Sequence, residues 1–127
     1  MSLKSSFNAM RLGGALDKPG LEGETYLTRA VKMRQYDAVQ EFIGIGANPD
    51  AENAKGETPL YVALELKDRM AIKILLENNA NIFLEKNGMT FREHAEKAGM
   101  KDVAEAAAAI ERERMAYAMS LGMHGFM

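Results

Sequence analysis

The sequence predicts an all-α solenoid of helix-turn-helix units stacked side by side, and two observations predict it. The first is a phrase that returns. Gly23-Glu24-Thr25-Tyr26-Leu27 through Ala30 recurs as Gly56-Glu57-Thr58-Pro59-Leu60 through Ala63, and in looser form as Gly88-Met89-Thr90-Phe91 through Ala95. Gly23, Gly56 and Gly88 open the three copies at a nearly constant interval, and a fixed period of this size marks a stacked repeat. The second observation is that the apolar positions keep the same offset. Val39, Phe42 and Ile43 stand one period before Ile72, Leu75 and Leu76, and Gly46-Ala47-Asn48 stands one period before Asn79-Ala80-Asn81.

Read in order, the chain divides into an N-terminal capping helix (1–21), repeat 1 (22–50), repeat 2 (51–84) and repeat 3 merged with a C-terminal helix (85–127), all in one domain. Ser5 to Gly13, with Phe7, Met10 and Leu12, reads as a truncated half-repeat, because Gly14-Ala15 precedes Gly46-Ala47 by almost the same period. In repeat 2, Thr58 is placed to cap a helix that opens on Pro59, where a missing N–H costs nothing. That helix is expected to run to about Leu66, with a tight turn at Lys67-Asp68 and Asp68 capping the next helix. Ile72, Leu75 and Leu76 then form one amphipathic stripe. The helix ends at Asn78-Asn79, where Asn79 suits a left-handed cap. An extended excursion follows up to Gly88. Beyond Lys101 the pattern changes: Ala104 and Ala106 to Ala109 are strong helix formers, and no glycine intervenes before Gly122. One long terminal helix to about Leu121 is expected, as terminal units of a repeat array are atypical.

At 127 residues, 47% hydrophobic and 27% charged, the composition is that of a globular chain able to bury one core. A formal net charge of −2 argues against nucleic-acid binding, which calls for a basic stripe matched to phosphates. The charges are not segregated, so no anionic-membrane surface is expected either. The chain has no cysteine, which removes disulfide and thiolate chemistry. Met1 to Gly20 holds no apolar run of signal-peptide length, and no segment approaches the roughly 18 apolar residues of a bilayer span. A cytoplasmic protein is the expectation, and export by a route without an N-terminal signal remains compatible with it.

These residues resemble the ankyrin repeat, a helix-turn-helix unit with a projecting hairpin. Thr58-Pro59-Leu60-Tyr61-Val62-Ala63 matches the family's Thr-Pro-Leu-His-x-Ala in all but the histidine. Thr25 to Ala30 lacks the proline and the histidine, and Thr90 to Ala95 keeps only threonine and alanine. Gly46-Ala47-Asn48-Pro49-Asp50-Ala51 is similar to the family's Gly-Ala-Asp turn, with asparagine for aspartate. The resemblance covers about Leu12 to Ile110. In the family the histidine and threonine hydrogen-bond within and between repeats; Thr28 and Tyr61 are suited to stand in for the histidine in part, Glu93 not in the same way.

What the resemblance implies is non-catalytic protein–protein binding, as an adaptor or an inhibitor, through hairpin tips and the open face of each first helix. Carried onto this sequence, the tips are Glu22 and Glu24, then Glu52, Lys55 and Glu57, then Lys86, Asn87 and Met89. The open face is Lys32 and Met33, then Glu65 and Leu66, then Lys97. Met33 and Leu66 beside charges fit a small apolar anchor with a polar rim; each position also fits plain solvated surface.

The C-terminal helix is the second candidate. Met115, Met119, Met123 and Met127 recur at every fourth position, with Tyr117 and Leu121 among them. Three readings stay open: a helix folded back so that its methionines complete the core, a homodimer formed through Met115, Tyr117, Met119, Leu121 and Met123, or a surface for another protein. Methionine suits adaptable contacts because it is unbranched and polarizable. No cofactor, metal or catalytic set is expected. His94 and His124 are the two histidines, and neither has a spaced acid or second histidine. Gly44-Ile45-Gly46 should end a helix, the reverse of the strand-to-helix order a dinucleotide site requires.

Overall fold

The computed structural model describes residues 15–121; the expected half-repeat over Ser5 to Gly13, and with it Met123 and Met127, lie outside them. Among the described residues there are six α-helices: α1 Tyr26–Lys32, α2 Tyr36–Gly44, α3 Pro59–Glu65, α4 Arg69–Glu77, α5 Phe91–Lys97 and α6 Lys101–Ser120. Two short 3-10 turns, Ala15–Asp17 and Leu21–Gly23, precede them. The chain forms two compact units, Met1–Asn81 and Ile82–Met127.

The first unit holds repeats 1 and 2. α1 packs on α2 and α3 on α4, and across the repeats α1 packs on α3 and α2 on α4. The expected stacking of successive hairpins is therefore present here. Its core is Leu27, Ala30, Val31, Val39, Phe42, Leu60, Val62, Ala63, Ile72 and Leu75, all buried. Each first helix starts where a threonine leaves the extended conformation. Thr25 Oγ1 accepts from the Thr28 N–H at 2.9 Å, and Thr58 Oγ1 accepts from Tyr61 at 3.4 Å. Thr28 also takes the histidine's local part, as its Oγ1 accepts from the Thr25 N–H at 2.9 Å.

The turns between paired helices use the same device in both repeats. Arg34 and Lys67 sit in the left-handed region at φ 55° and 54°, and Asp68 Oδ1 caps α4 by accepting from Ala71 N–H at 3.2 Å. Asn79, at φ 66°, takes the left-handed conformation expected for the end of α4. Aspartates bind the loops of neighbouring repeats together: Asp17 Oδ1 accepts from Asn48 N–H and Asp50 Oδ1 from Asn81 N–H, both at 2.8 Å. Tyr36 Oη donates to the Asp68 carboxylate at 2.9 Å, and Arg34 pairs with it at 3.1 Å. Among the described residues no buried side-chain nitrogen or oxygen lacks a hydrogen-bond partner.

In the second unit α5 packs on α6. Phe91, Ala95, Val103, Ala104 and Ala107 are buried. Thr90 and Glu93 form a capping box, the Glu93 carboxylate accepting from Thr90 N–H at 2.9 Å and Thr90 Oγ1 from Glu93 N–H at 3.3 Å. The Thr90 backbone N–H, the main cause, and the Thr90 hydroxyl both donate to the Glu93 carboxylate and hold its pKa below the ordinary value. Arg92 Nε donates to Glu111 at 3.2 Å, tying α5 to the middle of α6.

Candidate functional site

In the first unit, five of the sequence-derived contact residues meet. Lys32, Lys55, Glu57, Glu65 and Leu66, with Val62, line a shallow depression of about 240 Å³. The packing of α1 on α3 puts Lys32 opposite Val62, Glu65 and Leu66, and the repeat 2 hairpin supplies Lys55 and Glu57. Val62 is buried and Leu66 half-buried, so the floor is apolar, while Lys55 and Glu65 are exposed at its edge.

A hydrogen-bonded network fixes the charges beside it. Lys32 Nζ donates to Glu24 and lies 3.8 Å from Glu57. Asn53 joins these groups. Its Nδ2 donates to Glu24 at 3.1 Å and to Glu57 at 2.9 Å, while its Oδ1 accepts from the N–H groups of Lys55 and Glu57 at 3.0 and 2.9 Å. Only 4% of Asn53 is exposed, and all its bonding capacity in these directions is used. Partial desolvation works against the Glu24 charge, but the hydrogen bonds from Lys32 and Asn53 outweigh it and hold the carboxyl below its ordinary pKa. The Glu24 bond in turn raises the Lys32 pKa.

Glu24 is thus a structural bridge between repeats, with 12% of its side chain exposed. Glu22 and Glu52 are exposed at the hairpin tips, and Met33 is 54% exposed beside Lys32; none of the three lines the depression. In the second unit, Asn87 and Lys97 are exposed, and Lys86 and Met89 are half-buried across an Asn87-Gly88 turn. His94 Nε2 lies 2.7 Å from the Lys86 carbonyl and braces that turn by donating to it. Met115, Tyr117 and Met119 on α6, and Leu121 at its C-terminal cap, are 62%, 65%, 55% and 64% exposed. The folded-back reading, in which these side chains complete the core, does not hold for them, since all four are more than half exposed.

Two of the larger clefts have other linings. One of about 710 Å³ in the first unit is bordered by Tyr26, Arg29 and Phe42, with the Tyr26 and Phe42 rings stacked 5.5 Å apart. The other, about 610 Å³ between α5 and α6, alternates Arg92, Lys101 and Arg112 with Glu96, Glu105 and Glu111 over an alanine floor. Neither gathers a nucleophile with a base, and among the described residues no group of three His, Asp or Glu side chains could hold a metal ion. No helix of the described residues is long and apolar enough to cross a membrane. Gly44 ends α2 as the sequence predicts.

The residues that sequence reasoning missed are Asn53, Asp17, Asp50 and Tyr36. Asp17 and Asp50 carried a signal, since they stand one repeat period apart; Asn53 carried one too, an asparagine ahead of a glycine turn.

The stacked helix pairs and their hairpins match a known pattern: the model of ankyrin repeats (3 copies) covers residues 27–109. The chain belongs to the ankyrin-repeat family. Ankyrin repeats are protein–protein interaction modules and typically non-enzymatic. Among curated proteins, the chain is 34% identical over 76 residues to SH3 and multiple ankyrin repeat domains protein 2 of Homo sapiens. That match takes in 58% of this chain and 4% of the relative, so this ankyrin-repeat chain corresponds to a small part of that protein.

Proposed function

We propose that this ankyrin-repeat chain is a non-catalytic binding module, an adaptor or inhibitor inside the cell, and that its primary contact site is the depression between α1 and α3. The supporting observation is the convergence of Lys32, Lys55, Glu57, Glu65 and Leu66 around one apolar floor. The Glu24–Lys32–Asn53–Glu57 network holds that face rigid before any partner arrives, and binding to a preformed surface loses little to ordering. Lys55 and Glu65 at the rim give the face both signs of charge, which sets register and rejects mismatched partners more than it adds affinity. The exposed tips Glu22, Glu52, Asn87 and Met89, and Met33 and Lys97, widen the contact. The test is capture from lysate with identification by mass spectrometry, run beside Lys55→Glu. A protein captured by the wild type and lost from a folded Lys55→Glu variant supports the site. Equal capture by both contradicts it.

A second reading has its own observation. Met115 and Met119 point to one side of α6 and Tyr117 and Leu121 to another, all more than half exposed. A helix segment apolar on several sides is normally buried, which favours self-association through this tip. If removing residues 116–127 leaves both the sedimentation coefficient per mass and its concentration dependence unchanged, the chain does not assemble there.

A further inference from the structure

We propose that Asn87 is a site of spontaneous covalent modification, at which the carboxamide cyclises onto the Gly88 backbone nitrogen and reopens to aspartate and isoaspartate. Asn87 is the one asparagine of the sequence followed by glycine; the others precede alanine, proline, asparagine or isoleucine. A side chain on the following residue crowds the nitrogen that must attack, and glycine has none. The space around Gly88 is open as well, since a Cβ there would meet no heavy atom within 4 Å. Both residues are exposed. The contrast with other asparagines is sharp: Asn53 is buried with its amide fully bonded, and the Asn78 amide donates to the Ile74 carbonyl at 2.8 Å.

The reaction balances with water as its only co-reactant. The Gly88 nitrogen attacks Cγ of Asn87, the new N–Cγ bond forms, and the Cγ–Nδ2 bond breaks. The side-chain nitrogen leaves as ammonia, with the proton that the Gly88 nitrogen gives up. Water then adds to either carbonyl carbon of the five-membered imide. Opening on one side gives aspartate, and on the other isoaspartate, whose main chain runs through the former side chain.

The turn gates this chemistry. Asn87 and Gly88 hold φ of 56° and 77°, closed by Lys86 N–H to Met89 O at 2.9 Å and Met89 N–H to Lys86 O at 3.1 Å. Ring closure needs rotation about the Asn87 Cα–C bond, which breaks both bonds and strains the His94 contact to the Lys86 carbonyl. Two hydrogen bonds at an exposed tip open locally at far lower cost than α5 unfolds. Once formed, isoaspartate lengthens the turn by one main-chain carbon and places a carboxylate beside Lys86, so the Lys86–Met89 pair does not close again in register.

The experiment is prolonged incubation of the full chain in mildly alkaline buffer, followed by peptide mapping that separates asparagine, aspartate and isoaspartate. Conversion should appear at Asn87 before any other asparagine. It should be slowed at least about tenfold in Gly88→Ala, and lost in Asn87→Gln, which keeps an amide but disfavours the ring. It should be faster in His94→Ala, where the brace is gone. Conversion at another asparagine first, or an Asn87 that stays intact while the same peptide cut from the chain converts, would overturn the assignment. An unchanged rate in His94→Ala would overturn the gate.

Discussion

Gly23 and Gly56 open repeats 1 and 2 in the same backbone conformation, φ +77° and +78°, yet alanine should cost very different amounts at the two. The left-handed penalty is shared, about 1–2 kcal/mol. At Gly56 a new Cβ meets nothing within 4 Å, whereas at Gly23 it lies 3.0 Å from Ala54 Cβ on the next hairpin. Carbon atoms settle at roughly 3.5–4.0 Å, so the hairpins must separate. Their separation strains the bond from Ala54 N–H to the Gly23 carbonyl, 2.8 Å long. Local overpacking adds about 1–3 kcal/mol. Gly23→Ala should therefore destabilise the chain by about 2–5 kcal/mol and Gly56→Ala by about 1–2 kcal/mol. Equilibrium urea unfolding measures both. Combining Gly23→Ala with Ala54→Gly should remove the difference and leave the shared backbone penalty, a double-mutant cycle across the two repeats. Equal losses at the two glycines would refute the claim that adjacent hairpins touch in this register.

Other expectations use the same fold. Asn53→Ala removes the acceptor for two backbone N–H groups and the link between Glu24 and Glu57, and a urea midpoint should report a loss of about 1–3 kcal/mol. Ala63 is fully buried where α3 meets its neighbours, so Ala63→Leu should cost about 1–3 kcal/mol by overpacking, and an unchanged midpoint would mean that the helices are not juxtaposed there. The Glu24 pKa in the folded chain lies below its ordinary 4.5. The unfolded chain thus binds the proton first on acidification, and the stability that Glu24 contributes is present above pH 4.5 and lost as pH falls through the lower folded value. Glu24→Gln should flatten that acid limb in a series of melts. Lys32 has the opposite sign: its contribution is full below its ordinary 10.5 and lost as pH rises through the higher folded value.

Much of the fold is legible in the sequence because the first helix of each repeat begins on local chemistry. Thr25, Thr58 and Thr90 cap the helices the repeat phrase predicts, Pro59 opens α3, and Asn79 ends α4 in the left-handed turn its side chain tolerates. The apolar stripe is readable for the same reason, as α2 and α4 bury Val39, Phe42, Ile72 and Leu75 at one offset. The site is legible only in part. A charged residue on a repeat looks the same in sequence whether it faces solvent or a neighbouring hairpin. Glu24 reads as a free tip, but Asn53, 29 residues away, and Lys32 draw it into the scaffold. Glu93 cannot replace the motif histidine in kind, yet it supplies the bonds within its own repeat through the Thr90 capping box. The apolar tip of α6 is visible as a methionine spacing, but its exposure is a matter of packing that the spacing does not show.

The central claim is that the depression between α1 and α3 is where this chain grips its partner. The direct measurement is a binding titration of the captured protein against Leu66→Glu and Leu121→Glu, each first shown to melt like the wild type. Glutamate at position 66 buries a charge against Val62, and affinity should fall at least about tenfold, a loss of about 1.4 kcal/mol or more, while glutamate at position 121 should leave it unchanged. Tight binding by Leu66→Glu together with its loss in Leu121→Glu would move the site to the end of α6 and contradict the account.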